Sequence, residues 1–86
     1  MDINIIRVKL FDSLDELGVI VDNTINDFDL QEYITDSIMF ITFIINIERQ
    51  LSIEIPDELL LISKMNSFAA YCETMLSVVT GTYKVD

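Results

Sequence analysis

The sequence predicts an all-α domain of three longer helices and one short one, with a long loop between the first two. Three observations carry this. Apolar residues recur at steps of three and four in three separate segments, which gathers them on one stripe of a helix. The glycines Gly18 and Gly81 and the single proline, Pro56, stand between or after those segments and not inside them. Asp22, Asn23, Thr24, Asn26, Asp27 and Asp29, whose short polar side chains favour local turns, cluster between Gly18 and Thr35.

The first helix follows from the stripe Ile3, Ile6, Leu10, Leu14 and Leu17, and Gly18 stops it. Periodicity then fades, so Gly18 to Thr35 reads as one long loop, a length that in a compact domain often marks function. Ile38 to Leu51 runs without glycine or proline. A helical wheel puts Phe40, Ile44, Ile47 and Leu51 on one face with Ile41 at its edge, and Thr42, Asn46, Arg49 and Gln50 opposite. Its Ile and Phe content also suits a buried strand, and length decides for helix. Pro56 disfavours helix at Ile55, after which Asp57 can cap a brief third helix. Asn66 or Ser67 can cap a last helix bearing Phe68, Cys72, Met75 and Val79, which Gly81 closes. There is no internal repeat and no low-complexity tract.

Composition narrows the function classes. A chain of 86 residues reads as one domain, residues 1–86, too small for a deep water-excluding cleft, which sets most enzymatic readings aside. Fifteen Asp and Glu against five Lys and Arg leave a net charge of −10, a field that repels phosphate backbones and anionic lipid heads. Neither nucleic acid nor a membrane is therefore an expected partner. At 51% hydrophobic residues the chain has enough apolar surface to fold. Without histidine, and with Cys72 alone, it can build neither an internal disulfide nor a His/Cys zinc site, which fits a cytoplasmic protein. The first nine residues lack a basic segment followed by an apolar one, so no secretory leader is expected. The longest apolar stretch, Ile38 to Ile47, is interrupted by Thr42 and Asn46 and falls short of the ~20 residues that cross a bilayer.

Ile34-Thr35-Asp36-Ser37-Ile38, the apolar helix behind it, and Ile53-Glu54-Ile55-Pro56-Asp57-Glu58 together resemble the acyl carrier and peptidyl carrier proteins. The likeness covers most of the chain, from the first helix to Phe68-Ala69-Ala70-Tyr71. Asp-Ser before an apolar residue is in itself an ordinary helix cap; the combination with the long loop and the Ile-Pro-Asp-Glu segment is what distinguishes it. The resemblance implies a four-helix acyl-carrier-like right-handed bundle and Ser37 as the attachment point of 4′-phosphopantetheine, transferred from coenzyme A by a phosphopantetheinyl transferase. It implies that Asp36 helps the transferase recognise the site besides capping the helix. The chain is read as a free-standing monomeric carrier, and the resemblance implies that it is not an enzyme and meets an acyl- or aminoacyl-loading enzyme and a downstream synthase or transferase. A helix start supports the placement physically, because its free N–H groups and positive dipole tolerate a phosphodiester. With no histidine in the chain and no lysine nearby to activate Ser37, the transferase must supply the chemistry.

Two features depart from the family. Ile34 stands where a glycine is common, two residues before Asp36, which removes φ > 0 freedom. The second helix, acidic in carriers of bacterial fatty-acid synthesis, here offers Ile38, Met39, Thr42 and Ile45 on its flanks, with Glu48 its only acid after Ser37. Such a face is either an apolar docking surface or cover for the loop and the last helix. The docking reading is similar to the carriers of nonribosomal peptide, polyketide or related specialised biosynthesis; a fatty-acid or D-alanyl carrier and an unmodified acidic helical adaptor are the alternatives. No Lys or Arg falls between Leu10 and Glu48, while eight acids precede Ser37 there, a face that steers toward basic partners. A calcium loop starting at Asp22 fails, with Asp27 where glycine belongs and Tyr33 where the bidentate glutamate belongs. Cys72, inside the apolar stripe, reads as a buried hydrophobe.

Overall fold

A computed structural model describes residues 2–22, 24–61 and 65–83. Within them run α1 (Ile3–Asp15), a 3₁₀ turn (Leu30–Glu32), α2 (Ser37–Leu51), a second 3₁₀ turn (Asp57–Leu59) and α3 (Phe68–Thr80), with no strand among the described residues. The all-α, acyl-carrier-like bundle expected from the sequence is the fold observed. None of these helices is long and apolar enough to cross a membrane.

Each α-helix starts on a side-chain cap that satisfies an otherwise orphaned N–H. Asp2 accepts from Ile5 N, Asp36 from Met39 N, and Ser67 from Ala70 N. Gly18 and Gly81 take the positive φ values, 81° and 75°, that let the chain leave α1 and α3. The short helix is a single 3₁₀ turn, and Asp57 lies inside it instead of capping it. Pro56 holds the cap position and its carbonyl accepts from Leu59 N at 2.9 Å, so the turn closes one residue early.

The core joins Ile6, Leu10 and Leu14 of α1, Phe43, Ile44, Ile47 and Leu51 of α2, and Phe68, Tyr71, Cys72 and Met75 of α3. Ile55, Leu59 and Met65 close it from the α2–α3 connection. The inward arc of α2 is rotated from the wheel reading: Phe43 is fully buried, Ile41 is exposed, and Phe40 only packs on the core from its edge. Asn46, expected on the outer side, is also buried. It can be, because its amide donates to Ser13 O of α1 at 3.3 Å and its oxygen accepts from Arg49 at 3.3 Å. Burial pushes the Cys72 thiol up to about 12, which leaves it protonated and inert.

The long loop is not structureless. Arg7 of α1 donates to Ile25 O and Asn26 O at 2.9 and 3.1 Å, and its guanidinium lies 5.2 Å from the Phe68 ring. Asp27 accepts from Ser67 Oγ and Ala69 N at the start of α3, at 2.9 and 3.0 Å. Those bonds hold the Asp27 carboxyl below its ordinary 3.8, with the Ala69 N–H the largest cause and Ser67 next. Phe28 stacks on Phe68 at 4.6 Å, and Leu30 N donates to Met65 O at 3.0 Å. So fastened, the loop delivers Leu30 and Ile34 into the core, at 0% and 1% exposure. Ile34 needs no glycine-like freedom, since Ser52 is the only described non-glycine residue with positive φ.

Candidate functional site

The anchored loop ends where α2 begins. Ile34 is buried, while Thr35, Asp36, Ser37 and Ile38 are all exposed. Asp36 is extended, with φ −141° and ψ 166°, and its Oδ1 accepts from Met39 N at 2.8 Å while its carbonyl accepts from Phe40 N at 3.1 Å. The cap therefore folds back over the first turn, and Ser37 becomes the first helical residue. Its hydroxyl stands in water at the positive end of the α2 dipole, where an anionic group is stabilised.

The flanking residues separate into two groups. Ile38 is 76% exposed, Ile45 53%, and Thr42 is exposed with its hydroxyl donating to Ile38 O at 2.8 Å. Met39 differs from the sequence reading: it is half-buried against the core, with Thr35 Oγ1 3.8 Å from its sulfur. Ile41 and Leu61 add further exposed aliphatic surface at 56% and 51%.

A groove of about 330 Å³ opens at Ser37 and runs along α2, lined by Ser37, Phe40, Ile41, Ile44, Ile45 and Leu60. A second opening, of about 340 Å³, adjoins it across Phe40 and Leu60 and reaches Thr35, Asp36 and Leu61. The sequence reading missed Ile41, Leu60 and Leu61 as parts of this surface. The i, i+4, i+8 row Ser37, Ile41 and Ile45 was a usable signal for the first of them. Leu60 and Leu61 depend on how the chain returns after Pro56, which local periodicity does not encode.

The arrangement offers an accessible hydroxyl nucleophile, a helix terminus that tolerates phosphate, and an apolar channel leading from that hydroxyl. No group of three or more His, Cys, Asp or Glu among the described residues could hold a metal ion. The Ser37 surroundings thus fit a covalently attached phosphate-linked group. Compared with known protein families, residues 14–72 match the family described as "Phosphopantetheine attachment site". No curated protein matches the chain, and no solved structure does.

Proposed function

The chain belongs to the phosphopantetheine attachment site family, whose domain is the site of covalent 4′-phosphopantetheine attachment, and we propose on that footing that Ser37 is the residue that takes the arm. The observation that carries this is an exposed hydroxyl on the first residue of α2, just behind the Asp36 cap. In the transfer, Ser37 Oγ forms a bond to the β-phosphorus of coenzyme A as the pyrophosphate linkage breaks. Adenosine 3′,5′-bisphosphate leaves, and the serine proton goes to a base of the transferase. Asp36 holds the helix start and presents a carboxylate for that enzyme to recognise. When bound, the group supplies a thiol on which acyl or aminoacyl groups are carried as thioesters.

On this reading residues 1–86 form a single carrier domain, a cytoplasmic monomer that is a substrate of its partner enzymes and not a catalyst. Those partners are the transferase, a loading enzyme and a downstream synthase. Ile38, Thr42 and Ile45 form the outer part of the docking face and Met39 supports it from beneath. An aliphatic face instead of an acidic one favours nonribosomal peptide, polyketide or related specialised biosynthesis over fatty-acid or D-alanyl transfer. The test is intact mass after incubation with coenzyme A and a permissive transferase. A gain of one phosphopantetheinyl group by the wild type and none by Ser37→Ala supports the proposal. Two unchanged masses on folded protein favour an unmodified adaptor.

A further inference from the structure

We propose that the outward face of α1, together with the Val19-Ile20-Val21 segment beside it, docks a basic amphipathic segment of a partner protein: an aliphatic or aromatic anchor flanked by lysine or arginine. Two openings, of about 190 and 360 Å³, adjoin on this face and share Phe11 and Asp12. Asp15, Val19, Ile20 and Val21 complete the first, and Asn4, Arg7 and Val8 the second. Val8 and Ile20 stand at 58% and 87% exposure, while the inward stripe of α1 is already supplied by Ile6, Leu10 and Leu14. The face therefore carries apolar surface that the core does not use.

The charges around it select the occupant. Asp12 and Asp15 are exposed, and neither carboxylate has an ion pair or a hydrogen bond among the described residues. Arg7, the one cation in the lining, is engaged elsewhere, donating to Ile25 O and Asn26 O at 2.9 and 3.1 Å. A segment that sets an apolar side chain among Val8, Phe11 and Ile20 brings its own cations against Asp12 and Asp15. The competing occupant, a second copy of this chain, would place the same two acids on both sides of the interface, between chains of net charge −10. The face also lies away from the α2 start. Glu16, next after Asp15, pairs with Arg49 at 2.6 Å, and Arg49 is about 18 Å of helix rise beyond Ser37. On the carrier reading, a partner held at α1 keeps the domain close while the Ser37 arm visits another enzyme. The docking assignment itself does not depend on that reading.

The probe is a synthetic amphipathic peptide of leucine and lysine, titrated into the full, unmodified, isotope-labelled chain and followed by amide NMR. Shifts are expected at Val8, Phe11, Asp12, Asp15 and Ile20. Serine in place of leucine, or glutamate in place of lysine, is expected to abolish them at the same peptide concentration. Asp12→Asn with Asp15→Asn should weaken binding roughly fivefold, and Ile20→Ala by roughly the same factor. The charge-matched pair Glu54→Gln with Glu73→Gln, at exposed positions outside the face, should change it by less than about twofold. Far-UV circular dichroism checks the fold of each variant. Shifts centred on α2, shifts that persist with the serine peptide, or equal weakening by the two charge pairs overturn the proposal. Dimerisation without peptide that Ile20→Ala abolishes, read by sedimentation, overturns it too and assigns the face to a second copy.

Discussion

Asp36 caps α2 and, on the proposed reading, is also recognised by the transferase, and two substitutions tell these roles apart. Its Oδ1 accepts from Met39 N at 2.8 Å, so Asp36→Ala leaves the first turn of α2 uncapped. Loss of such a cap costs about 1 kcal/mol. A chain of 86 residues has an unfolding entropy near ~0.18 kcal/mol/K, so the thermal midpoint drops by about 5–6 °C. Asparagine caps nearly as well but carries no charge. Asp36→Asn therefore loses only the charge–dipole part, about 0.3–1 kcal/mol, which shrinks as salt screens it. Differential scanning calorimetry at low and high salt reads both effects. Transfer kinetics on the same proteins then read recognition: a well-folded Asp36→Asn chain is expected to be modified more slowly than wild type. An Asp36→Ala midpoint equal to wild type refutes the capping argument, and wild-type transfer rates in Asp36→Asn refute recognition of the carboxylate.

Three further outcomes are expected. Leu30, at 0% exposure in the loop, should behave as core, so Leu30→Ala costs ~2–5 kcal/mol in urea unfolding. Ile20→Ala, at 87% exposure in the same loop, changes stability by less than about 0.5 kcal/mol, and equal effects at the two sites would contradict the anchored loop. The Asp27 carboxyl, held below 3.8 by Ala69 N–H and Ser67 Oγ, has a folded pKa lower than its unfolded one. Its stabilisation is therefore present above pH 3.8 and lost as pH falls through the depressed value. Asp27→Asn should flatten that acid limb in a series of thermal midpoints, and an unchanged limb speaks against the latch. Cys72, fully buried and pushed up to about 12, should not react with a disulfide reagent in native buffer but should react in denaturant. After arm attachment one fast native thiol should appear, and a fast thiol before attachment contradicts the buried Cys72.

The helices were legible where a stripe was one-sided. In α1, Ile6, Leu10 and Leu14 are inside as their spacing demands, and in α3 Phe68, Cys72 and Met75 likewise. In α2 apolar residues run nearly all round, so the wheel could not choose between Phe40 and Phe43 or place Ile41 outside. Asn46 was misplaced because its burial depends on a carbonyl 33 positions away, Ser13 O, which no window of α2 contains. The loop's fastenings, Arg7 to Ile25 and Asn26 and Asp27 to the α3 start, are long-range pairs between ordinary surface residue types. The site's polar half was readable from Asp36-Ser37 alone, as a helix start. Its apolar half needed the return of Leu60 and Leu61 alongside α2, a tertiary fact.

The most direct measurement is to map the phosphodiester by fragmenting the peptides of the transferase-treated wild-type chain. The added group is expected on the peptide containing Asp36-Ser37-Ile38, on the serine. A modified chain carrying it on any other hydroxyl, such as Ser52 or Ser67, would contradict the assignment of the α2 start as the attachment site.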